Sequence, residues 1–300
     1  MSRVGEPMDD PVGGMRCVRD PSAARFATLA WDFLVRDPVR NNIICTLVEA
    51  GYQKEHPDWE WLRVLDGDGR LAGVAMRTPP RGLLLGDLPP AGAEALAVTY
   101  AGTNGSLSSV SGPATAATAF ARRYAAILGR SVRPGMALRM FRLDRVDPPP
   151  AVAGRGRPVE RADRDLVLDW VVAFSAETLT DNKPRDEQIA SVDRRLGYAD
   201  LMWLWEVDGV PVSFAWRSPV RPPGQWPRTP VTRISAVYTP PEQRGHGYAS
   251  ANVAELSQRG LDAGADACML YADLANPTSN KIYQRIGYRP VGDAQEWWFS

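Results

Sequence analysis

The sequence predicts an α/β protein made of two successive domains, each a mixed, mostly antiparallel twisted sheet flanked by helices. Three observations carry that expectation. Strand-like hairpins and helix-like amphipathic runs alternate in both halves of the 300 residues. The halves echo one another segment by segment. A Pro- and Gly-rich stretch without periodicity, "VDPPPAVAGRGRPVE" at 146–160, lies between them and reads as a linker. The expected division is a flexible N-terminus over 1–14, a first domain over 15–146, a linker over 147–157 and a second domain over 158–300.

The echo begins with two hairpins. "WLRVLDGDGRLAGVAMRTPP" from Trp61 and "WLWEVDGVPVSFAWRSPV" from Trp203 are each two strand-like runs joined by an Asp-Gly turn, closing on Arg77-Thr78-Pro79 and Arg217-Ser218-Pro219. Later, "FARRYAAILGRSV" and "NKIYQRIGYRPV" each read as a helix that carries Tyr124 or Tyr283 and stops at Gly129 or Gly287. The ends also match in kind, "LRMFRL" and "EWWFS".

In chain order the second half predicts a strand near Val159 and a helix over "DRDLVLDWVVAFSAETL" with Leu166, Trp170 and Phe174 at helical spacing. A second helix presents Ile189, Val192 and Leu196 and stops at Gly197. After the hairpin come a strand "TRISAVYT" and a helix "GYASANVAELSQRGLDAG" with Ala249, Val253, Leu256 and Gly260 on one side. A strand "ACMLYADL", a short helix "PTSNKIYQRIG" and a final strand or pair complete the order. Of the tryptophans crowding this half, most are expected in the core, with some available to an acceptor pocket.

Composition narrows the classes of function. Hydrophobic residues at 44% and charged residues at 23% suit a folded chain. A formal net charge of zero gives no reason to expect a nucleic-acid partner, and the preference for Arg over Lys reads as compositional bias. Cys17, Cys45 and Cys268 are odd in number and far apart, so no disulfide framework is expected. With only His56 and His246 available, no metal site is expected either. The start, "MSRVGEPMDDPVGG", lacks the apolar core of a secretory signal. No apolar run approaches the roughly 18 residues of a membrane helix. A cytoplasmic protein without a membrane partner is the expectation.

The informative segment is "VYTPPEQRGHGYAS" at 237–250. A strand running into Arg244-Gly245-His246-Gly247-Tyr248-Ala249 and then a helix collects unpaired backbone N–H groups at a positive helix end, the chemistry of a phosphate site. Gly245 and Gly247 remove the Cβ atoms that would hold an anion away, while Arg244 or Gln243 can close over it. A nucleoside-triphosphate loop needs Gly-Lys-Ser/Thr, and none of the three lysines follows a glycine. A dinucleotide fold wants a third glycine where Ser250 stands, with more strand and helix units after it than the chain provides. Asp273 at the next strand end is the residue that would imitate its ribose-binding acid.

Arg-x-x-Gly-x-Ala from Arg244 to Ala249, followed by helix, strand, "NPTSNKIYQRIGYRPV" and a terminal strand, resembles the GCN5-related N-acetyltransferase superfamily. The resemblance covers 158–300 well and 15–145 only in element order, so the first half reads as a degenerate copy. It implies that acetyl-CoA is the cosubstrate. Backbone groups around Val237, Tyr238 and Thr239 would pair with the pantetheine amides, and the turn Arg244, Gly245, His246, Gly247, Tyr248, Ala249 and Ser250 would hold the pyrophosphate. Asn276 and Asn280 would lie beside the pantetheine arm and Tyr283 near the thioester sulfur. Asn276 also suits a helix N-cap, with Pro277 at the first helical position.

The implied reaction moves an acetyl or other short acyl group to a primary amine by direct attack. A departing thiolate benefits from a proton donor, and Tyr283 is the candidate acid. Glu206, on the strand face opposite Trp203 and Trp205, is the candidate base, with Glu177, Glu242 and Asp273 as competitors. The acceptor is expected to be a small-molecule or peptide amine. A non-catalytic acyl-CoA sensor is the alternative. Three roles are open to the first half: shaping the acceptor pocket, forming a homodimer, or supporting the second half.

Overall fold

The computed structural model describes residues 6–7, 12–54, 56–102, 106–178, 184–198, 200–222 and 224–300. Most of the N-terminus expected to be flexible, and Leu179 at the end of the first helix expected in the second half, lie outside the described residues. In chain order the elements are β1 (Glu6–Pro7), β2 (Arg16–Asp20), α1 (Ala23–Leu34), α2 (Asn42–Gln53), β3 (Glu60–Leu65), β4 (Leu71–Arg77), β5 (Leu83–Leu85), α3 (Pro90–Gly102), β6 (Ser109–Pro113), α4 (Ala114–Leu128) and β7 (Val132–Leu143). There follow β8 (Arg155–Pro158), α5 (Arg164–Thr178), α6 (Arg185–Leu196), β9 (Met202–Val207), β10 (Val210–Arg217), β11 (Val231–Tyr238), α7 (Tyr248–Asp262), β12 (Ala267–Asp273), α8 (Pro277–Arg285) and β13 (Arg289–Phe299). The order β-α-α-β-β-β-α-β-α-β runs from β2 to β7 and recurs from β8 to β13.

Local chemistry explains the matching hairpins. Asp208 (φ +49°) and Gly209 (φ +80°) make the tight turn between β9 and β10. The turn between β3 and β4 is longer, and there the Asp66 carboxylate accepts from the amides of Asp68 (3.0 Å) and Arg70 (2.9 Å). In each run one parallel pair follows, β5 with β6 across α3 and β11 with β12 across α7.

Among the described residues the strands join one 13-stranded sheet in the order β1-β2-β3-β4-β5-β6-β13-β7-β12-β11-β10-β9-β8. The two last strands have changed places. β7 pairs with β12 of the second run, from Cys268↔Leu143 to Asp273↔Leu138, and β13 pairs with β6 of the first, from Ala294↔Pro113 to Trp298↔Ser109. They also pair with each other from Arg289↔Arg142 to Phe299↔Val132. Neither half of the sheet is therefore contiguous in sequence, and β8 begins at Arg155, inside the stretch expected as linker.

Helices cover both faces. Phe141 and Leu143 of β7 complete the core under α7 and α8, while Phe299 of β13 enters the core under α3 and α4. Each fully buried aromatic or leucine contributes roughly 1.5–3 kcal/mol, so each run depends on the other for part of its core. On the opposite face α1 and α2 pack over β3 and β4, and α5 and α6 over β9 to β11. In α5 the fully buried residues are Val167, Leu168 and Val171, while Trp170 and Phe174 of the expected apolar face are partly buried against the same cluster. The Trp170 ring meets Tyr238 at the end of β11, centroids 6.0 Å apart. No helix among the described residues is long and apolar enough to cross a membrane.

Candidate active site

The site begins where two parallel strands part. β11 pairs with β12 only over Val231–Arg233 against Ala267–Met269, yet β11 runs on to Tyr238 and β12 to Asp273. From Ile234 onward β11 and β12 form no ladder, so the sheet opens into a wedge. A bulge lies at its centre: between Trp216 and Phe214 β10 advances two residues, while β11 advances three, from Ser235 to Tyr238. Ala236 there has φ +48°, a conformation costing about 1–2 kcal/mol for a residue with a Cβ. Its consequence is a change of face: Ala236 packs under α5 and α6, and Val237 turns towards α7 and α8.

β11 then passes through Pro241–Gln243, a single 3-10 turn, into the glycine turn before α7. Gly245 (φ +84°) and Gly247 (φ +83°) are both left-handed, which explains glycine at both positions. Among the described residues the amides of Gly245 through Ser250 donate to no backbone carbonyl, and Gly247 as N-cap has no side chain to offer. The turn is exposed from Arg244 to Gly247. Exposed, uncommitted N–H groups at the start of a 15-residue helix form an anion-attracting surface.

The flanking side chains are more committed than the spacing implied. The Arg244 guanidinium donates to the Thr239 carbonyl (2.9 Å) and to both oxygens of Glu177 (2.9 and 2.7 Å), and lies 6.0 Å from the Tyr238 ring centre. Thus Arg244 ties the turn to α5, and the carboxylate of Glu177 is its partner. The Ser213 hydroxyl donates to the Tyr238 carbonyl at 3.2 Å. His246 is exposed, stacks on Tyr248 with centroids 5.4 Å apart, and has Nδ1 3.3 Å from the Gln243 carbonyl. Val152, from the linker, touches the turn: a Cβ on Gly247 would come within 3.0 Å of it, whereas one on Gly245 would meet open space.

Across the wedge, β12 ends in a turn built by two asparagines. Asn276 caps α8, its side chain accepting from the Ser279 amide at 3.0 Å, with Pro277 in the first turn. Asn280 donates to the carbonyls of Asp273 (2.8 Å) and Asn276 (2.7 Å), and its own Oδ1 is buried without a partner. One turn on, half-buried Tyr283 packs against Phe141 and Tyr288, each with centroids 6.1 Å away. Its hydroxyl has no partner among the described residues, and burial pushes its pKa up to about 12. Tyr283 and Val237 border the same cluster as Ala272 of β12, so the phenol lies on the α7–α8 side of the wedge.

Glu206 stands apart from these groups. Its carboxylate accepts from Arg157 Nε at 2.6 Å with Arg155 at 3.6 Å, and the hydrogen bond from Arg157 holds its pKa below the ordinary carboxylate range. That environment makes it a weak proton acceptor. Asp273 is exposed and accepts from the Ala275 amide, while Glu242 is exposed on the turn. Trp203 and Trp205 are core residues; Trp226 sits against Trp31 and Tyr52 of the first run. Sequence reasoning missed the bulge, because alanine carries no signal for it, and the Glu177–Arg244 pair, because 67 residues separate its members.

The acetyltransferase (GNAT) family model matches residues 165–288. A search of the curated proteins finds no match. Among solved structures, a Drosophila protein superposes with a TM-score of 0.65 at 11% identity, covering 94% of this chain and 98% of that one. A GCN5-related N-acetyltransferase from Sphaerobacter thermophilus gives 0.63 at 15% identity, with 95% of each chain covered. A GNAT-family acetyltransferase from Colwellia psychrerythraea gives 0.59 at 10% identity, covering 94% and 98%. These likenesses are of fold, and they extend over both runs of elements. The acetyltransferase (GNAT) family model thus matches most of the second half, and nearly the whole chain shares the fold of solved GNAT-family proteins.

Proposed function

We propose that the second run binds acetyl-CoA and transfers its acetyl, or another short acyl, group to a primary amine, while the first run is a degenerate tandem copy without a coenzyme site. The observation that carries this reading is the pairing of an open β11–β12 wedge with a cradle of uncommitted amides at Gly245–Ser250. The residues present fit a ligand with a diphosphate at one end and an amide-bearing arm: the cradle takes the anion, and the Val237 to Thr239 stretch, which forms no ladder with β12, takes the arm. Asn280 and Asn276 fix the facing wall, and the buried Asn280 Oδ1 is an acceptor awaiting a donor. No group of three His, Cys, Asp or Glu side chains among the described residues is placed to hold a metal ion.

In the transfer the amine nitrogen bonds to the acyl carbon, the carbon–sulfur bond breaks, and the sulfur takes a proton from the Tyr283 hydroxyl, which solvent then reprotonates. A phenol raised to about 12 stays protonated at neutral pH and is thus present as an acid. The lowered pKa of Glu206 favours solvent, rather than that carboxylate, as the sink for the amine proton. Incubating the full chain with acetyl-CoA and a pooled amine library, and following free thiol, tests the reading. Thiol release that depends on amine supports it; tight acetyl-CoA binding without release for any amine favours an acyl-CoA sensor, and no binding removes both.

A further inference from the structure

Two arginines on the α5–α6 face of the wedge have no counter-ion. Arg195 of α6 lies over the Trp216 ring, 4.1 Å from its centre, and donates to the Ser191 carbonyl (2.9 Å) and hydroxyl (2.6 Å); its Nε is buried without a partner. Arg233 of β11 donates to the side-chain carbonyl of Asn42, on α2 of the first run, at 2.6 Å. Among the described residues neither makes an ion pair. Four other arginines removed from solvent do: Arg63 faces Asp20, Arg157 faces Asp163 and Glu206, Arg217 faces Asp200 and Arg221 faces Glu49. A sequestered cation is costly unless paired.

We propose that Arg195 and Arg233 bind an anionic group, a carboxylate or a phosphate, carried by the amine acceptor. The inference rests on the acyl-transfer reading for the word acceptor, but the anion site stands on the arginines alone. Burial and the charge of Arg233 together lower Arg195 to about 10, and burial lowers Arg233 as well; both remain cations at neutral pH, and an entering anion relieves their repulsion. Position agrees with this. Arg233 is the last residue of β11 paired to β12, so the two guanidiniums sit at the root of the wedge. Ser235, whose hydroxyl accepts from Trp216 Nε1 at 2.5 Å, and the bulge at Ala236 continue that face towards the wedge opening. An acceptor held here by its anion has the parted strands between itself and Tyr283, with no ladder in the way. The first run supplies one wall through Asn42, a role for that run in shaping the acceptor pocket.

The test is thermal denaturation of the full chain in sodium N-acetylglycinate or sodium phosphate, against sodium chloride at matched ionic strength. The wild type should be stabilised by at least one of the two anions, the carboxylate arm pointing to amino-acid-like acceptors and the phosphate arm to phosphorylated amines. Arg195→Met, which keeps the stem over Trp216, and Arg233→Met should each abolish that stabilisation, and without ligand each should melt at or above the wild type. If an acceptor is found, kcat/KM should fall about 100-fold in Arg195→Met for the acid-bearing amine and less than about threefold for its neutral amide. No stabilisation of the wild type by either anion, or a shift that survives both substitutions and so belongs to the α7 turn, overturns the proposal. Failure of acetyl-CoA to bind, with an anion effect that still requires Arg195, removes the acyl-transfer reading and leaves the anion pocket.

Discussion

The two runs solve the same strand-to-helix junction in opposite ways. Before α7, two left-handed glycines leave a row of amides facing solvent. Before α3 the corresponding stretch is Gly86-Asp87-Leu88-Pro89-Pro90, where the two prolines have no N–H to give. The Gly86 amide donates to the Val74 carbonyl (2.9 Å), the Asp87 amide to the Asn41 side chain (2.7 Å), and Leu88 is buried beneath the turn. At the first junction Gly86 and Asp87 are satisfied from within the protein and the prolines offer no donor, whereas at the second the six successive amides of Gly245 to Ser250 donate to no backbone carbonyl among the described residues. A repeated fold does not imply a repeated site; the difference lies in where a handful of backbone donors point.

Matched glycines should show this contrast most strongly. Gly245 and Gly129 are both left-handed, and a Cβ on either meets nothing within 4 Å. Alanine at each should cost a similar 1–2 kcal/mol or so of stability through backbone strain. Only Gly245→Ala should also weaken acetyl-CoA, by about 10- to 100-fold in Kd, the value of one or two charge-assisted hydrogen bonds. Equal binding in the two variants would break the comparison. Gly247→Val is a poorer probe, because its Cβ strikes Val152 of the linker.

The tyrosines of α4 and α8 come next in size. Buried Tyr124 receives the Leu107 amide at 3.0 Å, whereas the Tyr283 hydroxyl is uncommitted. Tyr283→Phe should lower kcat about 100-fold with Kd for acetyl-CoA unchanged and little change in melting temperature. Tyr124→Phe should do the reverse, costing about 1–3 kcal/mol for an orphaned buried amide and leaving kcat alone. Because burial raises Tyr283 to about 12, its acid form persists as pH rises. The account predicts kcat without an alkaline decline through pH ~10, the ordinary phenol value, and a fall near that value would mean an unperturbed phenol. The smallest effect is expected at Glu206: replacing it by Gln should change kcat less than about threefold, against the tenfold or greater loss of a working base.

Much of this was legible in the sequence, for local reasons. Asp208-Gly209 specifies its hairpin, Asn276-Pro277 its helix start, and Gly245 and Gly247 their turn, because each depends on the residue's own backbone preferences. The exchange of β7 and β13 was not legible. "LRMFRL" and "EWWFS" say only that a strand exists, and nothing in a period-two pattern names its neighbour. Likewise the spacing places Arg244 in the turn but not its bond to Glu177, and Glu206 on its strand but not its capture by Arg157. Long-range charge partners are chosen by topology, which is why the lone pair Arg195 and Arg233 emerges only from the folded chain.

Isothermal titration of the full chain with acetyl-CoA tests the central claim most directly, because stoichiometry separates the two junctions. The account predicts one site per chain, weakened by Gly245→Ala and untouched by Gly129→Ala. Two equivalent sites per chain, or none, would contradict it.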